Sequence, residues 1–462
     1  MLESRFAFKK IIVYLTKTRF CVKIIVIIDE RNLFMEKKKK LGGKFWLALT
    51  IFSLMGQVAW VIENMYLNVF IYDKYKVDPS DISMMVAASA ITATLTTVFM
   101  GALSDRIGKR RLFICGGYIL WGISIFSFVF VDQFIPITAA TLGVTLVILL
   151  DCLMTFFGST ANDAAFNAWL TDSTDSSNRG VAEGINAMMP LVAVLAVFGG
   201  FMFLNSENKN YWTIIFSIIG VLTLVIGVLG FFLIKEPELK KSDVGYFDSI
   251  LYGFKPSTVK LTPVLYIALA AFIVFNISIQ IFMPYLIIYY EVSLQMSNYV
   301  LVMAPAIVLA SVVTALWGRL YDKKGFTFSG VLSLVMLISG YVILFFTRTM
   351  VPVFIGSFLM MSGYLSGMAV FGALIRDNTP IGKAGCLQGI RIFSQVLVPG
   401  IVGPFIGSAV LSTAEKITNT DGTESFVPNA NIFLAAAIAA VPVFVVFFVL
   451  KKIKKNNADK AE

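Results

Sequence analysis

The chain has 462 residues; 58% are hydrophobic and only 14% are charged, against roughly 25% charged in a soluble domain. Phe alone fills 41 positions, and 38 Lys and Arg outnumber 28 Asp and Glu to leave a net charge of +10. So few charges cannot cover so much apolar surface in water. A disordered chain, a fibre, a disulfide scaffold and an ordinary cytosolic enzyme are excluded, and a polytopic membrane protein is indicated. The sequence contains no His, which removes His-ligated zinc, a Ser-His-Asp triad and His-held haem. Cys21, Cys115, Cys152 and Cys386 stand far apart and read as small buried hydrophobes.

Residues 1–42 form a basic extension with short apolar clusters, none long enough to span a bilayer and none followed by a small-residue cleavage site. It reads either as an interfacial amphipathic helix or as untranslated sequence before Met35, with the latter favoured. Twelve apolar runs of about 20 residues follow, at 45–71, 82–103, 112–131, 137–160, 182–204, 212–234, 263–290, 297–317, 328–347, 352–375, 388–410 and 431–450. Backbone groups in lipid must be satisfied within the segment, so each run predicts a helix. The fold class is therefore an all-α membrane protein. Its predicted divisions are a six-helix bundle over 43–234, a central loop over 235–262, a second six-helix bundle over 263–450 and a basic tail over 451–462. Lys37 to Lys40, the Arg106–Arg111 loop, Arg319 to Lys324 and Lys451 to Lys455 all fall on one side, whereas Asp73, Asp78, Asp132, Glu207 and Asp421 fall on the other. Both termini are expected to be cytoplasmic, in the plasma membrane. The positive charge is then a topology signal, and no nucleic-acid partner is expected.

Ionisable and amide groups inside spans are costly and mark functional candidates. Span one places Gln57, Trp60, Asn64 and Asn68 on one helical face, with Glu63 roughly 100° away. Span four carries Asp151, Thr155, Ser159 and Asn162/Asp163 as one stripe. Glu183 and Asn186 open span five, Asn276 and Gln280 lie one turn apart in span seven, and Gln388, Arg391 and Gln395 line span eleven. Spans three, six, nine and twelve carry almost no such groups. Each candidate also has a plain structural use. Glu63 and the Asn residues suit interhelical hydrogen bonds, Asp151 suits a wet span end, and Trp60 suits packing as well as stacking on a sugar ring. Glu183, Arg376 and Arg391 suit a salt-bridge gate as well as substrate contact.

Two motifs recur at equal positions in each half. Gly101-Ala-Leu-Ser-Asp105-Arg106-Ile-Gly108 follows span two, and Gly318-Arg-Leu-Tyr-Asp322-Lys323-Lys-Gly325 follows span eight. Glu183-Gly-Ile-Asn186 opens span five, and Gln388-Gly-Ile-Arg391 opens span eleven. The first motif, with Lys109 and Arg110, resembles the signature loop of the major facilitator superfamily, and the likeness extends over 43–452. The resemblance implies two pseudo-symmetric six-helix halves with a site between them. It also implies that spans one, four, seven and ten line that site, and that Gly101, Asp105, Arg106 and Gly108, with Gly318, Asp322, Lys323 and Gly325, form a latch of the outward-open state. Gln57 to Glu63, Ala168 to Asp172 and Arg376 to Pro380 are similar to the glycoside–pentoside–hexuronide/cation symporters and sucrose–proton carriers. That branch commonly uses an acidic pair on helix two for its cation, and span two here has no acid before Asp105.

The chain has no G-x-x-x-x-G-K-[ST] loop, so no built-in ATPase is expected. Transport is then passive or driven by an ion gradient. Glu63, and after it Asp151, are the candidates for proton uptake. The expectation is a secondary transporter, not an enzyme, without a cofactor and with H+ as coupling ion. It moves a small-molecule solute across the lipid bilayer as a monomer, and amides with Trp60, Tyr66, Tyr118 and Tyr285 suit a glycoside. The alternative is proton-driven efflux of hydrophobic compounds.

Overall fold

The computed structural model describes residues 41–174, 178–204, 208–236, 251–296, 298–380, 387–419 and 422–458. Eleven helical stretches are long and apolar enough to cross a membrane. The first six are α1 (Gly43–Tyr75), α2 (Pro79–Ile107), α3 (Arg110–Phe134), α4 (Ile137–Ser173), α5 (Val181–Phe201) and α6 (Tyr211–Leu233). Then come α7 (Pro263–Ser293) and a 47-residue stretch, Val300–Phe346. At 1.5 Å per residue that stretch would be about 70 Å long, more than twice a hydrocarbon core. It is two helices, α8 (300–324) and α9 (326–346), because Gly325 breaks the path with φ 76° and ψ 173°, a conformation that only Gly adopts readily. The series closes with α10 (Met350–Asp377), α11 (Gly389–Leu411) and α12 (Asn431–Ile453). The chain is thus an all-α bundle of two six-helix halves. The expected extension lies almost wholly outside the described residues. So does half of the central loop, residues 237–250, and the part that follows carries a short helix, Pro256–Leu261.

Local chemistry sets the helix ends. Asp78 and Asp81 cap the start of α2 reciprocally, with Pro79 at its first position. Gly108 ends α2 with φ 71°. Tight contacts use small residues: a Cβ on Gly122 of α3 would lie 2.5 Å from the Leu224 amide nitrogen of α6. Leu222, Val225, Leu229 and Phe232 of α6, and Ile438, Val445 and Phe448 of α12, face outward, as a lipid-covered bundle requires.

With an even number of crossings, residues 43 and 453 share one face, here termed the terminus face. The two halves meet along α2 against α11 and α5 against α8. Among the described residues, several side-chain hydrogen bonds and one ion pair join the halves at the opposite face. Tyr72 Oη of α1 donates to the Phe426 carbonyl (2.6 Å), and Tyr285 Oη of α7 donates to the Pro79 carbonyl (3.0 Å). Tyr299 Oη donates to Tyr66 Oη (3.3 Å), and Lys416 Nζ lies 3.4 Å from Asp78 Oδ1. Phe426 belongs to a hairpin between α11 and α12, in which β1 (Lys416–Thr418) pairs antiparallel with β2 (Glu424–Phe426). Its ring is 2% exposed and packs edge-on to both Tyr72 and Tyr285, so this hairpin bridges the halves.

Candidate functional site

The polar groups of the first half converge on Glu63. The residue sits in a π-helical turn of α1, Ile62–Tyr66, a local widening that often marks functional positions. It is 7% exposed. Its Oε1 accepts hydrogen bonds from Ser89 Oγ of α2 (2.7 Å) and Thr155 Oγ1 of α4 (2.8 Å). Ser89 Oγ and Thr155 Oγ1 are 2.8 Å from each other. Glu63 Oε2 is buried and has no partner among the described residues. Asp151, one turn before Thr155, is 2% exposed, lies within electrostatic reach of Glu63 and leaves Oδ1 without a described partner.

A third acid, Asp163, lies in the π-helical segment Ser159–Phe166 of α4 and accepts from Ser159 Oγ at 3.1 Å. Beside it Asn162 Oδ1 accepts from Tyr118 Oη (3.1 Å), which also lies 2.6 Å from the Phe52 carbonyl of α1. A Cβ at Gly56 would lie 2.5 Å from Asn162 Oδ1, so only Gly lets α1 meet α4 this closely. Trp60 packs against Trp121 of α3 at 5.1 Å, and Ser53 donates to Asn186 Oδ1 of α5. Between residues 45 and 234, none of the six predicted spans contains Lys or Arg. Three acids thus sit inside a half whose membrane interior offers no cation.

The remaining predicted residues are placed differently. Gln57 is half-buried. Asn64 is exposed and donates to the Trp60 carbonyl (2.8 Å), and buried Asn68 donates to the Asn64 carbonyl (2.9 Å). Asn276 of α7 likewise donates to the Phe272 carbonyl (2.8 Å). Each of these amides donates to the carbonyl one turn before, as short polar side chains do in apolar surroundings, while Asn68 Oδ1 is left buried without a described partner. Gln280 packs its Cβ over Gly403 of α11, and Gln395 is half-buried in a π-helical turn, Phe393–Leu397. Arg391 is exposed on the terminus face, within electrostatic reach of Arg376 and of Glu183 from the other half. The side chain of Gln388 lies outside the described residues. Ser89 is the member of the Glu63 group that the sequence did not single out: it is one of several hydroxyls on α2, with no periodic signal to set it apart.

The loop between α2 and α3 makes a buried junction on the terminus face. Its centre is Arg110, 5% exposed, rather than Arg106, which is exposed. Arg110 pairs with Asp105, bonds Ser104, and reaches Asp172 of α4 through both Nε (3.1 Å) and Nη2 (3.0 Å). One planar guanidinium fork so ties three helix ends together. Gly101 stands half-buried against Ala164 of α4. In the second half Gly318, Asp322 and Lys323 are exposed, and it is Tyr321 that makes the tie, donating to Asp377 of α10 at 2.6 Å.

The sequence profile of the Major Facilitator Superfamily fits residues 45–404, most of the chain. The chain belongs to that superfamily. Solved structures of the same fold include a bacterial homologue of the human lysosomal transporter Spinster, inward-facing and unoccupied. Its TM-score is 0.66 at 16% identity, covering 88% of this chain and 96% of that one. The nucleoside transporter NupG gives 0.63 at 13% identity, over 88% and 98% of the two chains. The xylose transporter XylE from E. coli, partially occluded and inward open, gives 0.65 at 15% identity, over 87% and 99%. No curated protein sequence matches the chain. At these identities the likeness establishes the major facilitator fold alone.

Proposed function

We propose that this transporter carries a neutral glycoside together with a proton, alternately opening to each side of the plasma membrane, with both termini cytoplasmic and a single chain as the working unit. The observation that supports proton coupling is the burial of Glu63 and Asp151 within electrostatic reach of each other, with no basic residue in the surrounding spans. An unpaired buried carboxylate is expensive, so the pair takes up a proton or a cation when it is closed off from water. Glu63 is the coupling acid and Asp151 its partner. Trp60, with Trp121 behind it, offers an aromatic face of the kind on which a sugar ring stacks.

The same stack of Trp60, Trp121 and Tyr118 favours a second reading, efflux of hydrophobic compounds. The two differ in direction. Energised vesicles of the cytoplasmic orientation should accumulate labelled disaccharides, and a protonophore should abolish the accumulation, if glycoside–proton symport is right. Exclusion of a lipophilic dye under the same gradient, with no disaccharide uptake, would establish the efflux reading instead.

A further inference from the structure

The oxygens around Glu63 carry a proton count. Glu63 Oε1, Ser89 Oγ and Thr155 Oγ1 form a triangle with edges of 2.7, 2.8 and 2.8 Å, so every edge has hydrogen-bond length. Three such edges need three hydrogens. Each hydroxyl supplies one, and an ionised carboxylate supplies none. With Glu63 ionised, both hydroxyls donate to Oε1, and Ser89 and Thr155 face each other lone pair to lone pair. With a proton on Oε1, the carboxyl O–H fills the third edge and the ring closes. A metal ion fits the triangle poorly, because oxygens sharing even a small cation with bonds of about 2.1 Å sit about 3.0 Å apart. Oε2 points the same way. Buried without a described partner, it is tolerable as the carbonyl oxygen of a neutral acid and far costlier as half of a carboxylate.

We propose that Ser89 and Thr155 are positioning residues that hold the proton on Glu63 by closing this ring. The inference rests on the reading of Glu63 as the coupling acid and extends it to the atoms that keep the proton. It also gives the proton a route to the moving parts. Ala90, the residue after Ser89, seats on α11 of the other half, where a Cβ at Gly400 would lie 2.5 Å from its own. Loss of the proton opens the ring at its Ser89–Thr155 edge, so that α2 loses its direct tie to α4 beside the seam between the halves. The titratable groups facing Glu63 are Asp151, Cys152 and Asp163 on α4, with Tyr118 of α3 beside Asp163. α2 has none between residues 82 and 104.

The test is an infrared pH titration of the protonated-carboxyl band of the full-length protein in lipid nanodiscs, with the Glu63→Gln spectrum subtracted. For Ser89→Ala, the pH at which half the band is lost should fall by about half to one unit, the worth of one net hydrogen bond to the neutral form. Ser89→Thr, which keeps the hydroxyl, should retain the wild-type midpoint. If Ser89 merely donates to an ionised carboxylate, its removal raises the midpoint. A rise, an unchanged midpoint, or no Glu63 band at any pH overturns the proposal. Thr155→Val gives the same readout on a second edge should Ser89→Ala not fold. No solute is needed, so failure of the ring and failure of the glycoside reading are distinguishable.

Discussion

Gly400→Ala places a methyl group at the seam where the halves must part. In the structure its Cβ would lie 2.5 Å from the Ala90 Cβ, whereas carbon atoms rest at about 3.5–4.0 Å, so α2 and α11 must separate by about 1 Å at this level. Overpacking of this kind costs about 1–3 kcal/mol. The penalty falls on the conformation in which the two helices touch. A carrier with a second conformation that separates them gains that much in the competing state, an equilibrium shift of about 5- to 150-fold. Ser83 of α2 is fully buried at the face opposite the termini, close to Tyr285, and so reports on opening there. In a background lacking the native cysteines, Ser83→Cys should react with a membrane-impermeant maleimide several-fold faster when Gly400→Ala is present. Gly403→Ala is the control: its Cβ would meet Gln280 within the same half, so it should lower thermal stability without exposing position 83. Unchanged labelling in a folded Gly400→Ala protein would refute the reasoning.

Other substitutions test the remaining joints. Tyr72→Phe removes the donor to the Phe426 carbonyl and should weaken the closed hairpin face by about 1 kcal/mol, read as about five-fold faster labelling of Ser83→Cys. Arg110→Met strips Asp172 and Asp105 of a shared partner and should cost about 1 kcal/mol of stability by thermal unfolding in detergent, because the carboxylates left behind are 29% and 58% exposed and stay solvated. Asp105→Asn should cost well under 1 kcal/mol because that carboxylate is 58% exposed, yet should slow turnover more than it weakens binding. Gly325→Ala forces a Cβ into a conformation at φ 76° and should destabilise by about 1–3 kcal/mol, measured in the same way.

The twelve crossings were legible because lipid leaves the backbone no choice: an apolar run of sufficient length is a helix. Even the α8–α9 break was marked, by the Gly325 that ends the second copy of the loop motif. Side-chain partners were legible only in part. Spacing put Asp151 and Thr155 on one face of α4, but nothing in α1 said that Glu63, rather than Asn64, turns towards them. The π-helical turn at 62–66 adds a residue to the helical count and breaks the ideal 100° step on which such an argument depends. The same phase uncertainty explains why Arg110, and not Arg106, fills the junction below α2: which basic residue of a short loop turns inward depends on where α3 begins. The β1–β2 hairpin left only a faint trace, an Asp-Gly pair at 421–422 between two short polar strands.

The central claim, that a proton on Glu63 drives solute movement, is tested most directly by reconstituting the wild type and Glu63→Gln in liposomes. Disaccharide exchange is then compared with accumulation against a gradient. Gln keeps the side-chain shape and removes the ionisation, so exchange should persist while pH-driven accumulation falls to the equilibrium level. Undiminished uphill accumulation by Glu63→Gln would contradict the account.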